Sequence, residues 1–233
     1  MKKVDEIIES VRSDGRRVLT EYESKWVLAE YGIPVVRENL VFDFDSVQEA
    51  AARIGYPVAL KLCSAQVRHK TEKGLIRLGL RDEGELAEAF EGLKTQMEDS
   101  KAGFLVQEMV RGARELLIGM TRDPQFGPVA MFGLGGIFTE VLDDISLRVA
   151  PLRYNDALEM MSEIKANKIL GPVRGMEPVD LDVLNKSIVA VGNIGLSHGD
   201  IQEIDVNPLI VQGNRPVAVD ALVVLSKEND PED

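Results

Sequence analysis

Chemistry is possible at a few short stretches of this chain. In Val58-Ala-Leu-Lys-Leu-Cys63, alternation puts Val58, Leu60 and Leu62 on one strand face and Ala59, Lys61 and Cys63 on the other. A lysine among small neighbours in an apolar strand must reach water or an anion, because burying it unpaired is expensive. It reads either as a phosphate-binding lysine or as a lysine on a solvated sheet face. Just beyond it, Arg68-His69-Lys70-Thr71-Glu72-Lys73 places four basic or potentially basic residues in six positions. Such neighbours disfavour protonation of His69 and attract an anion, so His69 is a candidate nucleophile towards phosphorus. An exposed loop histidine is the alternative.

The C-terminal stretch offers hard oxygen ligands. Gln212-Gly-Asn-Arg215 reads as a hairpin turn between two apolar runs. If Gln212 pairs with Arg215, Asn207 falls opposite Asp220, and cross-strand partners share a face about 5 Å apart at Cβ. Alternation adds Glu203 and Asp205 to that face and turns Ile204 and Val206 away from it. Mg²⁺ prefers such oxygens and keeps waters for substrate phosphates. A solvated acidic face is the other reading, and Pro208 could shift the register through a bulge.

Further candidates are weaker taken singly. Gly133-Leu-Gly-Gly136 could bring backbone N–H groups to a phosphate, with Arg148 adding a bidentate contact unless it pairs with Asp143 or Asp144. Glu108, Met109 and Val110 end a strand at a composition boundary, where free backbone groups could read a base edge. Glu115 could accept from a sugar hydroxyl. Both glutamates could equally be surface charge. His198, at the end of a helix, reads as structural.

The elements that must position these residues follow from caps and periodicity. Thr20 with Glu23, Ser46 with Glu49 and Asp82 with Glu85 read as capping boxes, opening helices to about Tyr31, Ile54 and Ser100. Strands are expected at Val58–Cys63, Leu75–Leu80 and Phe104–Met109. After Arg111-Gly112 come strands at Glu115–Met120, Val129–Phe132 and Ser146–Val149. Helices at Asn155–Lys165 and Asp180–Ser197 precede the terminal strands Ile201–Val211 and Pro216–Leu222. This order of elements reads as α+β, and the composition is that of a globular protein. It has 233 residues, 45% of them apolar, with 27 basic against 39 acidic side chains and a net charge of −12. That balance argues against nucleic acid and anionic membranes as partners. A single cysteine, Cys63, excludes an internal disulfide framework. No apolar run approaches the roughly 20 residues of a membrane span, and the expectation is a soluble, cytoplasmic protein.

Taken together, YPVALKLCS, HKTEKGLI, VQEMVRGARELLIGMTRDPQFGP, GLGGIFTEVLDDISLRVAPL and EIDVNPLIV resemble the ATP-grasp β subunits of ADP-forming acyl-CoA synthetases, acetyl-CoA synthetase in particular. More distantly the chain is similar to the succinyl-CoA synthetase β subunit. The resemblance covers about residues 15–225. It implies an α+β ATP-grasp fold in which two lobes clamp a nucleotide, with residues 21–110 as the small lid and residues 1–20 and 111–233 as the larger lobe. Lys61 would contact nucleotide phosphates, Glu108, Met109 and Val110 the adenine, and Glu115 the ribose. Asn207 and Asp220 would hold Mg²⁺, and Gly133, Gly135, Gly136 and Arg148 would lie near the transferred phosphate. His69 would be transiently phosphorylated, with Asp205 orienting it. The implied reaction is acyl-CoA + ADP + phosphate to acid + ATP + CoA. It runs with an α subunit that carries the CoA and acyl-phosphate domains, in an α₂β₂ heterotetramer.

Two other readings stand beside this one. An ATP-dependent carboxylate–amine ligase would form an acyl phosphate directly and need no phosphohistidine. A nucleotide-binding regulatory module would bind ATP without phosphorylating His69.

Overall fold

The computed structural model describes residues 2–65, 74–97, 99, 101–136 and 144–227. His69 and its basic neighbours lie outside the described residues, as do positions 137–143. The chain divides into two compact units. One comprises Met1–Leu19, Glu23–Val35 and Arg111–Asp233; the other comprises Thr20–Tyr22 and Val36–Val110. Among the described residues no helix is long and apolar enough to cross a membrane.

The smaller unit is one antiparallel sheet with two helices on one face. Its elements are β1 (Glu38–Val41), a helix at Phe44–Ile54, β2 (Val58–Cys63), β3 (Ile76–Leu80), a helix at Glu83–Lys94 and β4 (Gly103–Glu108), with strand order β1-β4-β2-β3. The first helix starts earlier than expected. Its cap is Asp43, whose carboxylate accepts from Ser46 N at 2.8 Å. Asp82 caps the second as expected, accepting from Glu85 N at 2.9 Å. That helix stops at Lys94 rather than near Ser100, where its last turn tightens into Gln96 N to Leu93 O and Met97 N to Lys94 O bonds. Both helices pack on the face built from Val58, Leu60, Leu62, Phe104 and Val106, and Phe90 lies 4.6 Å from Phe104 between ring centres. The opposite face carries Ala59, Lys61 and Cys63, with Gln107 opposite Ala59 and Glu38 opposite Gln107.

The larger unit is a second antiparallel sheet. We number its helices α1 (Lys2–Ser13), α2 (Glu21–Glu30, whose first turn groups with the smaller unit), α3 (Tyr154–Glu163) and α4 (Leu181–Ser197). Its strands are β5 (Glu115–Asp123), β6 (Gly127–Leu134), β7 (Ile145–Val149), β8 (Ile201–Gln212), β9 (Arg215–Ala218) and β10 (Leu222–Leu225). The order is β10-β8-β5-β6-β7, with β9 also on β8. The 17-residue α4 is apolar enough to lie against β5 and β6, burying Leu184, Ile188, Val191 and Ile194. Glu23–Val35, expected in the smaller lobe, belongs here by its bonds. Val223 N donates to Ser24 Oγ at 3.1 Å, and Glu23 accepts from the Arg16 guanidinium at 2.9 and 3.0 Å. His198 ends α4 in a structural position, with Nε2 2.9 Å from Tyr31 Oη and Nδ1 3.0 Å from Asp5.

Candidate functional site

In the larger unit the site is built on β8. The hairpin register is as expected at the turn, where Gln212 lies opposite Arg215 and Leu209 opposite Ala218. The same register resumes in β10, where Asp205 lies opposite Leu222 and Glu203 opposite Val224. Between the two, Val219 N donates to Pro208 O at 3.2 Å, so Asn207 and Asp220 occupy opposite positions in the gap. Ile204, Val206 and Leu209 are buried in the core, while Asp205, Asn207 and Asp220 are half-buried and Glu203 is exposed. Up to Val206 the strand alternates, burying Ile204 and Val206 and turning Glu203 and Asp205 away; past Pro208 the phase shifts, with an irregular register against β5, so that Leu209 and Val211 are the buried residues.

The glycine stretch meets that face. Gly133 and Leu134 still belong to β6, and Gly135 N donates to Glu115 O at 2.9 Å. Gly136 N donates to Asn207 Oδ1, also at 2.9 Å. Gly136 sits at φ +62°, and a side chain there would run into the Glu115 carboxylate; one at Gly135 would run into Leu116 O. Gly135 is required by this close approach to backbone, and Gly136 by its positive φ. Glu115, Gly136 and Asn207 are therefore brought together at one corner of the sheet.

Electrostatics mark the same face. Burial pushes the Asp205 carboxyl up to about 6, and the negative charges of Glu203 and Asp220 add to the push. Carboxylates that repel one another beside an amide oxygen form a donor set that a hard divalent cation would relieve. Among the described residues no three His, Cys, Asp or Glu side chains could hold a metal ion by themselves. Mg²⁺ prefers oxygen donors of this kind, and Asn207 and Asp220 are the ones that would hold it here.

Arg148 is placed elsewhere. It lies opposite Ala130, on the helix-covered face. Its guanidinium pairs with Glu163 and, at 3.7 Å, with Glu159. Hydrogen bonds from the Arg148 guanidinium and from Ser146 Oγ, the latter at 2.6 Å, hold the Glu163 carboxyl below its ordinary value. The structure does not bring Arg148 to the face of Asn207. Asp144, the other partner considered for it, accepts from Lys165 N at 2.7 Å and Ala166 N at 2.8 Å.

In the smaller unit, Lys61 is buried, at 5% exposure, which rules out a solvated sheet face. Its Nζ donates to Glu21 Oε1 at 2.8 Å. Glu108 is tied down: it accepts from Arg37 N at 3.0 Å and Arg37 Nε at 2.7 Å, and its own N–H donates to Arg37 O. Met109 and Val110 follow, half-buried and outside any strand. Sequence reasoning missed Glu21 and Gln107. The available signal was that Gln107, paired with Ala59, must share the face of Lys61. It also missed Arg114, buried at 1% exposure, whose Nη2 donates to Gly213 O at 2.9 Å beneath the β8–β9 turn.

This pair of sheets, with oxygen ligands on a C-terminal hairpin beside a glycine loop, defines a class that comparison with known proteins identifies. Residues 10–225 match the ATP-grasp domain model. The chain is 41% identical to the β subunit of acetate–CoA ligase [ADP-forming] I of Pyrococcus furiosus, covering 96% of this chain and 98% of that one. It is 40% identical to acetate–CoA ligase [ADP-forming] I of Archaeoglobus fulgidus, covering 97% of this chain but 34% of that longer one. Among solved structures, acetyl-coenzyme A synthetase 1 of Ca. Korarchaeum cryptofilum, in complex with coenzyme A and Ca-AMPCP, matches with a TM-score of 0.90 and 39% identity. That match covers 95% of this chain and 99% of that one. The same synthetase has been solved with Mg-AMPPCP and a phosphohistidine segment pointing towards the nucleotide-binding site. The chain belongs to the ATP-grasp family and, within it, to the β subunits of ADP-forming acetate–CoA ligases.

Proposed function

We propose that the chain is the nucleotide-binding part of an ADP-forming acyl-CoA synthetase, acting in acyl-CoA + ADP + phosphate to acid + ATP + CoA. The observation that carries this reading is the match along nearly the whole length of the Pyrococcus β subunit. The meeting of Glu115, Gly136 and Asn207 on one corner of the sheet supports it. In this reading Lys61 neutralises nucleotide phosphate, and Glu108, Met109 and Val110 present backbone groups to the adenine. Glu115 accepts from the ribose, and Gly133, Gly135 and Gly136 bring N–H groups to phosphate oxygens. Asn207 and Asp220 hold Mg²⁺, which when bound offsets the charge of the phosphate oxygens. Arg148, paired with Glu163, is not included in this set.

His69 is the proposed phosphoryl carrier. Its neutral imidazole nitrogen forms a bond to phosphorus as the bond to the donor oxygen breaks, and the reverse transfer delivers the group to ADP. Asp205 is the proposed orienting residue. The remaining chemistry belongs to an α-type part, either a separate subunit, as an α₂β₂ assembly, or the rest of a longer chain like that of the Archaeoglobus relative. A cytoplasmic location is part of the same proposal.

Intact-mass measurement with ATP and Mg²⁺, with and without an α-type partner, tests this. The wild type gains one acid-labile phosphate and His69→Ala gains none. Phosphate on both proteins, or on neither with the partner present, refutes the relay. An acid-labile acyl phosphate that forms only with added carboxylate would favour the ligase reading instead.

A further inference from the structure

A buried ammonium group needs a counter-charge whether or not a ligand is present. For Lys61 that counter-charge is Glu21, in the first turn of α2. Glu21 Oε1 accepts from Lys61 Nζ at 2.8 Å and from Gln107 Nε2 at 3.1 Å. Gln107 Nε2 also donates to Glu38 at 2.7 Å. Glu21, Lys61 and Gln107 are 3%, 5% and 2% exposed. The ion pairs Arg81–Glu85 and Lys186–Asp182, by contrast, lie on exposed helix surfaces.

Burial of this kind is a poor stabilising device. A buried ion pair can usually be replaced by apolar side chains without loss, so its presence points to a use for the charge. Lys61 also lacks the solvated freedom by which most lysines reach water with the ammonium alone. We infer that Glu21 is a positioning residue for nucleotide binding: its carboxylate, held by Gln107, keeps the Lys61 ammonium in one orientation for the phosphates of ADP or ATP. This inference rests on the nucleotide-binding reading of the chain. An ammonium group has three hydrogens to donate. Glu21 retains one while a phosphate oxygen accepts another, and the lysine's rotamer freedom is surrendered before the ligand arrives.

The test is calorimetric binding of Mg-ADP, with adenosine as the phosphate-free control, to wild type, Glu21→Gln, Lys61→Met and the double variant. Glu21→Gln is expected to weaken Mg-ADP on the order of tenfold and leave adenosine unchanged. In the Lys61→Met background the Glu21 substitution adds nothing, because its effect passes through the missing ammonium. Three results overturn the proposal: unchanged Mg-ADP affinity in Glu21→Gln, equal losses for adenosine and Mg-ADP, or additive losses in the double variant. If Glu21→Gln does not fold, Glu21→Asp carries the same comparison. Its shorter arm keeps the charge and should show an intermediate loss for Mg-ADP alone, and an affinity equal to wild type overturns the inference. A wild type that binds adenosine but no more tightly with phosphates overturns it too. A wild type that binds neither refutes the nucleotide reading itself.

Discussion

Asp205 gives the sharpest handle on the oxygen-rich face of β8. Its carboxyl is pushed from an ordinary 3.8 to about 6, chiefly by burial, with Glu203 and Asp220 adding repulsion. Each pH unit is worth about 1.4 kcal/mol, so ionised Asp205 costs the metal-free fold on the order of 2–3 kcal/mol. The sign follows from linkage. Because the folded value is raised, stability is fully present below the unfolded value and is lost as pH rises through about 6. Asp205→Asn mimics the protonated acid, so it should be more stable than wild type at pH 7.5 in EDTA. Below about pH 6 the gap should narrow, and it should close below about pH 4. Urea unfolding at pH 4.5 and 7.5 measures this directly. Saturating Mg²⁺ should raise wild-type stability and shrink the gap, since a bound cation removes the repulsion. A gap of equal size at both pH values would show that the carboxylate charge is not its source. A variant less stable than wild type at pH 7.5 in EDTA would refute the argument outright.

Two more predictions concern the frame around this face. Gly135→Ala should destabilise by about 2 kcal/mol and raise the Mg-ADP dissociation constant, because its methyl group meets the Leu116 backbone rather than a side chain that can move. Gly127→Ala, with open space around it at φ +74°, should cost only about 1 kcal/mol. A loss at Gly135 no larger than at Gly127 would contradict the close-approach argument. Arg114→Met should cost about 3 kcal/mol in chemical denaturation, since it strips donors from Gly213 O and Ile169 O in a buried setting. Arg114→Lys should recover little of this, because one ammonium cannot reproduce the fork.

Most of the fold was legible because period and caps act locally. The β2 strand and the Asp82 cap were readable from a few adjacent residues each. Errors arose where two local devices competed. Ser46 was a plausible cap, but Asp43, three residues earlier, captures both its N–H and its hydroxyl, the latter at 3.0 Å. The site divides the same way. Asn207 opposite Asp220 follows from one turn and a period of two. The Lys61–Glu21 pair spans 40 residues and two elements, so no local pattern announces it. Arg148 shows the limit of reading types alone. The strand's pleat turned it to the helix side, where Glu163 was waiting, while its neighbours Leu147 and Val149 stayed exposed on the other.

Pro208 was an objection to the hairpin register, and the structure turns it into a reason for the site. Proline has no N–H to give, so a sheet ladder must lapse where it sits. β8 pairs with β10 up to Asp205 and with β9 from Leu209 onward, and the lapse falls between. Asn207 and Asp220 stand in that gap, with Val219 N bonded to Pro208 O to hold the two segments in step. The ladders on either side keep these two side chains from drifting. Restoring an ordinary ladder would close the gap and move the two donors with the strand. In the nucleotide-binding reading proposed above, this interruption is what lets one long strand carry both core residues and the proposed Mg²⁺ donors.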